Sequence, residues 1–291
     1  MVRKIHFILF GGLFFECLFL VYLGSLPGST SLLENNSELD QILENCARYC
    51  EKLSHSSLYF VCREQVEEMI KHHRESRSSS LTLSGGRTYM AYGGIDTEKH
   101  KYVYDYQLVR KGGVIKESRI LLKEDGKKKH KENAPLKTKR FYYKHVIFGP
   151  TGLLSRKAQL KHNFRIIKRK KFNREKVIVI RATPKNEKEV NHLYGDVWVS
   201  EDDYRILKIE WNQKSLENYE RMEHIAEQSK ATAKPVLISE YMYEHNGIQF
   251  PSKYIIKEIY ELKWRNRRTL KSETKVTYED YKFFTVSTEI K

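Results

Sequence analysis

The sequence has no Gly-x-Ser-x-Gly elbow, no His-Glu-x-x-His pair and no Gly-rich phosphate loop ahead of a helix. Those absences remove the string-level signs of a serine hydrolase, a zinc protease and a nucleotide-dependent enzyme. The 11 histidines are scattered, and no nucleophile and base stand at a spacing that would pair them. Cysteine is sparse, four in 291 residues. Cys46, Cys50 and Cys62 have no histidine at ligand spacing, and His72-His73 stand in a polar stretch, so no metal site is expected. Asp202-Asp203 read as turn residues, favoured there for local hydrogen bonding. The expectation is a non-enzymatic chain with no cofactor.

What is present begins with residues 1–31. A basic start, Arg3-Lys4, is followed by a nearly unbroken apolar run from Phe7 to Leu23 and then by small and chain-breaking residues. That order is the order of a secretory signal peptide, with a cut fitting best after Ser31. The alternative is an uncleaved anchor through residues 5–24, interrupted by Glu16. Either way the folded part is expected outside the cytosol, in a periplasm or cell envelope. The net charge is +16. Residues 1–31 hold two cations and one anion, so the remainder keeps about +15 and the charge belongs to the fold. Export makes nucleic acid an unexpected partner for it. Anionic lipid headgroups, lipopolysaccharide or acidic glycans are the polyanions an exported chain meets, and a solvated surface is the plainer reading.

An oxidising compartment makes a disulfide reasonable. Cys46 and Cys50 lie four apart on a helix expected over Glu38 to Leu53, and Cys62 lies on the strand that follows. A Cys50–Cys62 bridge is expected first and Cys46–Cys62 second, contributing about 3 kcal/mol by restricting the unfolded chain.

Residues 32–291 read as one β domain with a helix in front. Arg74 to Lys101 is Ser- and Gly-rich and reads as a long insert. Tyr102, Tyr104, Tyr106 and Leu108 then alternate with Val103, Asp105, Gln107 and Val109, and Gly112-Gly113 turns the chain into Val114 to Lys123, a β-hairpin. Lys127 to Lys139 reads as a basic loop. Strands follow over Phe164 to Lys170, Val177 to Ala182, Val197 to Val199 and Leu207 to Trp211. In Arg165 to Lys171, strict alternation puts Arg165, Ile167, Arg169 and Lys171 on one side, and Lys168 and Lys170 on the other. Leu216 to Lys234 reads as an exposed, partly helical insertion ended by Pro235. Asn246-Gly247 marks a hairpin returning through Tyr254, Ile256, Tyr260, Leu262 and Trp264 before the closing strand to Val286. Long strands joined by hairpins predict a strongly curved antiparallel sheet, an unclosed β-barrel covered by the N-terminal helix and loops.

The aromatic content, 19 Tyr, 13 Phe and 3 Trp, is more than one thin helix can cover. Either the concave face is a filled core or it holds a cavity, and the candidate cavity residues are Phe60, Tyr106, Leu207, Ile209, Trp211, Tyr241, Tyr243, Ile256 and Tyr260.

Several strings carry a resemblance: the close Val276-Thr277-Tyr278-Glu279-Asp280-Tyr281-Lys282, the polar strand-turn-strand from Gly195 to Glu210, Phe60-Val61-Cys62-Arg63-Glu64, and Phe148-Gly149-Pro150-Thr151-Gly152-Leu153-Leu154-Ser155. With the signal-like start and the early helix, the chain resembles the LolA/LolB-type outer-membrane lipoprotein carriers. That resemblance implies an unclosed barrel shielding acyl chains of a lipid or lipoprotein, with Phe148, Pro150, Leu153 and Leu154 as a lid. A sensor or scaffold binding an envelope protein through the same sheet is the reading from a different class.

Overall fold

The structure, a computed structural model, describes residues 29–73, 81–83, 87–89, 94–111, 113–139, 146–186, 192–262 and 267–284. The signal-like stretch up to residue 28, parts of the insert after Arg74, and Trp264 lie outside the described residues.

The order along the chain is α1 (Ser29–His55), β1 (Leu58–His73), β2 (Leu81–Leu83), β3 (Arg87–Tyr89), β4 (Ile95–Lys111), β5 (Val114–Glu124), β6 (Lys127–Lys131), α2 (Gly149–Leu154), α3 (Arg156–Gln159), β7 (His162–Phe172), β8 (Glu175–Pro184), β9 (Gly195–Ser200), β10 (Ile206–Trp211), α4 (Tyr219–Gln228), β11 (Ala231–Ala233), β12 (Val236–Glu240), β13 (Tyr243–His245), β14 (Ile248–Phe250), β15 (Lys253–Leu262) and β16 (Arg267–Phe283). Twelve strands form one antiparallel sheet in the order β6-β5-β4-β1-β16-β15-β12-β10-β9-β8-β7, with β11 added to β15. The sheet is not closed: β6 and β7 are its two edges. Leu121 of β5 and Ile178 and Ile180 of β8 nonetheless belong to one core, so the sheet curls until its two ends share an interior.

Apolar positions at helical spacing make α1 amphipathic, and no Pro or Gly interrupts it. Ile42, Cys46, Cys50 and Leu53 are fully buried in the concave core. The helix begins earlier than its apolar stripe, so the expected cut after Ser31 falls in its first turn. Its outer side is clamped by Arg156, which bridges Glu44 at 2.7 Å and Glu51 at 2.6 Å. Arg110 donates to the Leu53 carbonyl at 2.7 Å, satisfying a group the last turn leaves unpaired.

Four expectations are corrected. Ile95 to Lys101 is not loop but the start of β4, paired along the end of β1, where alternating charge hides a strand whose outer side is solvated. Lys127 to Lys131 is an edge strand on β5, every residue exposed. Asn246-Gly247, both at positive φ, close a small ribbon of β13 and β14 standing apart from the main sheet, while β15 pairs with β12 and β16. In β7 a bulge inserts Ile167 between Ile166, opposite Ile180, and Lys168, opposite Val179. The extra residue reverses the alternation. Ile167, Lys168, Lys170 and Phe172 share the convex face, while Arg169 turns towards α1 and bonds Glu38.

The expected disulfide is also absent. Cys46, Cys50 and Cys62 are free, buried thiols. Cys50 sits beside Thr151 of α2, with Tyr49 and Tyr241 near it, whereas Cys62 sits beside Tyr281, Glu64 and Arg119, so the two side chains occupy different parts of the core. Burial pushes the Cys50 thiol up to about 12 and raises Cys46 and Cys62 as well. Thiolate, the reactive form, is therefore scarce at all three. Ellman's reagent at pH 8 should leave these cysteines unmodified in the folded protein and modify all three in urea. A linked Cys50–Cys62 peptide in an unreduced map would restore the disulfide.

The concave face is not wholly apolar. Glu64 of β1 is fully buried and receives two bonds from the Arg119 guanidinium, at 2.5 and 3.1 Å, and that guanidinium lies 4.6 Å from the Tyr106 ring centroid. A buried ion pair gives little net stability against an apolar replacement, but breaking one side strands a charge. Glu64→Ala should lower the unfolding free energy by about 3–5 kcal/mol, read from the urea midpoint at unchanged slope, and Glu64→Leu with Arg119→Met should recover most of it.

Candidate functional site

Beyond this ion pair the inner face continues through polar residues. Glu68 of β1 accepts from the Thr274 hydroxyl at 3.3 Å and from the Lys139 backbone at 3.0 Å. Glu258 of β15, 8% exposed, accepts from the Tyr260 hydroxyl at 2.7 Å and from Ser272 at 3.3 Å. Past this belt, between α4 and the far ends of β15 and β16, lies a cavity of about 720 Å³. Its floor is Leu237, Ile256, Tyr260 and Leu262, and its roof is Leu216, Met222 and Ile225.

The roof forms for local reasons. Asn212 caps a turn before α4 by accepting from the Lys214 backbone at 3.0 Å. Ala226 packs on Ala231 and Ala233, small enough to let the helix lie close, and β11 then pairs with Tyr260 to Leu262. Leu216 to Lys234 is the largely exposed, partly helical insertion expected, and its few inward apolar residues make it a roof as well.

Four cations, Lys139, Arg221, Lys257 and Lys271, and two carboxylates, Glu217 and Glu258, line the cavity. Lys257 is held by Glu273 at 2.7 Å and Lys139 by both oxygens of Glu98, at 2.7 and 2.8 Å. Arg221 and Lys271 form no ion pair among the described residues. The site therefore offers apolar walls of leucine, isoleucine and methionine with two unpaired cations, Arg221 and Lys271, and two carboxylates, Glu217 and Glu258, around them, so an amphiphile would desolvate its chain against the walls and an anionic head group would meet Arg221 and Lys271.

The candidate residues named from sequence separate into groups. Phe60, Tyr106, Ile209, Trp211 and Tyr241 are buried together with Leu153 and Leu154 in the closed core under α1. The Trp211 indole donates to Ser239 at 2.9 Å and the Tyr241 hydroxyl to the Val146 carbonyl at 3.2 Å. Gly149 permits that packing, since a Cβ there would stand 2.5 Å from the Tyr241 hydroxyl. The segment of Phe148, Pro150, Leu153 and Leu154 is therefore packed as a plug in the core, with Leu153 and Leu154 fully buried. Leu207 does not share a face with Ile209 and Trp211: it is the extra residue of a bulge between Ile206 and Lys208 and packs on the convex side with Val177, Val179 and Trp198. Tyr243, on the separate ribbon, is 41% exposed and stacks on Tyr281. Ile256 and Tyr260 alone of the nine line the cavity. Leu216, Met222, Ile225 and Leu262 were missed; Met222 and Ile225 lie three apart on α4 and Leu216 in the turn before it, but their partner strand is β15, distant in sequence.

No protein-family model matches the chain, and no curated protein matches it. Among solved structures it is similar to a domain described as an outer membrane lipoprotein-sorting protein from Vibrio parahaemolyticus, at 14% identity and TM-score 0.34, over 86% of this chain and 95% of that one. A LolA superfamily protein from Nitrosomonas europaea is similar at 11% identity and TM-score 0.32, over 84% and 94%. A DUF1329 family protein from Desulfovibrio piger is similar at 10% identity and TM-score 0.34, over 86% and 94%. Among the described residues no helix is long and apolar enough to cross a membrane, and no group of three or more His, Cys, Asp or Glu is placed to hold a metal ion.

Lys139, which lines the cavity, also belongs to a titrating network on the neighbouring β1–β4 surface. Glu98 is held down to about 2 by Lys139, His100 and His72, and His100 is raised from the ordinary 6.5 by Glu98 and Asp125. A raised histidine contributes stability fully present below its unfolded value and lost as pH rises through its folded value; a depressed carboxylate contributes above its unfolded value and is lost as pH falls through about 2. Both contributions are thus complete between about pH 4.5 and 6.5. An NMR titration should place the His100 midpoint above 6.5 and Glu98→Gln should lower it; an unmoved midpoint would show that the contact is not formed.

Proposed function

We propose that this chain is an exported, non-catalytic binding protein that holds the acyl chain of an anionic lipid or lipidated molecule in the cavity beneath α4. The observation that carries this reading is an apolar-walled cavity of about 720 Å³ whose lining holds Arg221 and Lys271, neither in an ion pair among the described residues, together with the carboxylates Glu217 and Glu258. That volume lies in the range of small-molecule sites, about 300–1,000 Å³. Each buried methylene stabilises by about 0.8 kcal/mol, so several give a useful and reversible affinity. Export rests on the signal-like order of residues 1–31. The acyl site thus moves from the middle of the concave face, where Phe60, Trp211 and Tyr241 pack on Leu153 and Leu154, to its roofed end.

A second reading, a surface for a partner protein, is favoured by the half-buried aromatic ladder, exposed at Tyr243, in which His245 stacks on Phe283 at 3.8 Å and Tyr243 on Tyr281 at 4.8 Å. Native mass spectrometry of protein purified from the envelope should find bound lipid, and a fluorescent fatty acid should compete with it. Met222→Glu and Ile225→Glu, each placing a charge in the roof, should weaken fatty-acid binding by about tenfold or more with the fold intact by circular dichroism. A clean apo mass without fatty-acid uptake would sink the lipid reading; a crosslinked envelope protein on that same apo chain would support the second.

A further inference from the structure

The convex face carries a feature that the cavity does not use. Lys168 of β7, Val179 of β8, Trp198 of β9 and Lys208 of β10 stand in one row across four strands, each paired with the next. Lys170 lies two residues along β7 on the same side. The three ammonium groups converge on one ring. Lys170 lies 3.5 Å from the Trp198 ring centroid, Lys208 4.1 Å and Lys168 5.9 Å. Phe172 meets the same indole edge-on at 5.3 Å. Trp198 is 4% exposed, and its indole nitrogen is buried with no hydrogen-bond partner.

We propose that Lys168, Lys170 and Lys208 around Trp198 form a binding site for a phosphate-bearing anion. The charges do not balance without one. Lys208, 9% exposed, has Glu210 at 2.7 Å. Lys168 and Lys170 have no carboxylate within ion-pair distance among the described residues, leaving three cations and one anion in one cluster. Flexible lysines in water spread apart to relieve such repulsion; here the bulge at Ile167 turns both towards the tryptophan, and cation–π attraction holds them. Lys170 is correspondingly depressed, first by desolvation and then by Lys168, with Lys208 adding to it and Glu210 opposing.

A phosphate fits this set better than a carboxylate. A carboxylate is planar and is matched by the two-pronged guanidinium, absent from this cluster, whereas a phosphate presents several oxygens to separate point charges. Free phosphate and a phospholipid headgroup share that chemistry.

The test uses the full-length protein at fixed ionic strength, because charged contacts weaken with salt. Tryptophan emission and the thermal midpoint are followed on addition of inorganic phosphate, of phosphatidylglycerol vesicles and of phosphatidylcholine vesicles. Two variants lose the same charge in different places: Lys168→Gln with Lys170→Gln in the cluster, and Lys127→Gln with Lys128→Gln on the opposite edge strand. The wild type should bind, the cluster variant should weaken by about tenfold or more, and the edge variant should stay within about twofold. Binding of inorganic phosphate assigns the site to a free phosphate ligand; binding of phosphatidylglycerol vesicles alone assigns it to a lipid headgroup. No binding of either by the wild type, or equal loss in both variants, overturns the proposal.

Discussion

A single curled sheet that stops short of closing is the constraint on which the rest of this protein depends. Its two edges, β6 and β7, carry Lys127, Lys128, Lys129 and Lys131 on one side and Lys168, Arg169, Lys170 and Lys171 on the other, all exposed. Lysine-rich edges resist pairing with one another and with other chains, so the barrel has no strand-to-strand seam. The concave face must then be covered by other means. α1 and the α2 plug cover one end with leucine, isoleucine and cysteine; α4 roofs the other more loosely and leaves space beneath it.

Between the two ends runs the polar belt of Glu64, Glu68, Glu258, Ser272 and Thr274. Each carboxylate in it is paired or hydrogen-bonded, as burial requires. The belt stands between the packed core and the cavity, which Glu258 and Ser272 themselves help to line. It also gives the inner face fixed hydrogen-bond directions, which an all-apolar interior would lack. Lys139 belongs to both regions: its backbone closes on Glu68 in the belt, while its side chain lines the cavity and bonds Glu98 of β4.

Much of this was legible from residues. The Tyr102 to Leu108 alternation gave the inward face of β4, and the apolar stripe of α1 gave its buried side, because both are local periodicities. Where the reading failed, one inserted residue or one distant partner was responsible. The bulges at Ile167 and Leu207 each reverse a period-2 pattern, and nothing in the neighbouring residue types announces them. Met222 and Ile225 of α4 give too thin an apolar side to signal a cavity until β15 is laid beneath them.

By itself the sequence determined a helix in front of a long antiparallel sheet, the large positive charge and the aromatic interior, since composition and short-range periodicity act within a few residues. Only the tertiary structure decided which aromatics fill the core, where a cavity is left, which cations stand without partners, and that Cys50 and Cys62 do not meet. Those outcomes depend on how strands remote in sequence are brought into register and on how far the sheet curls, and neither is encoded in any single segment.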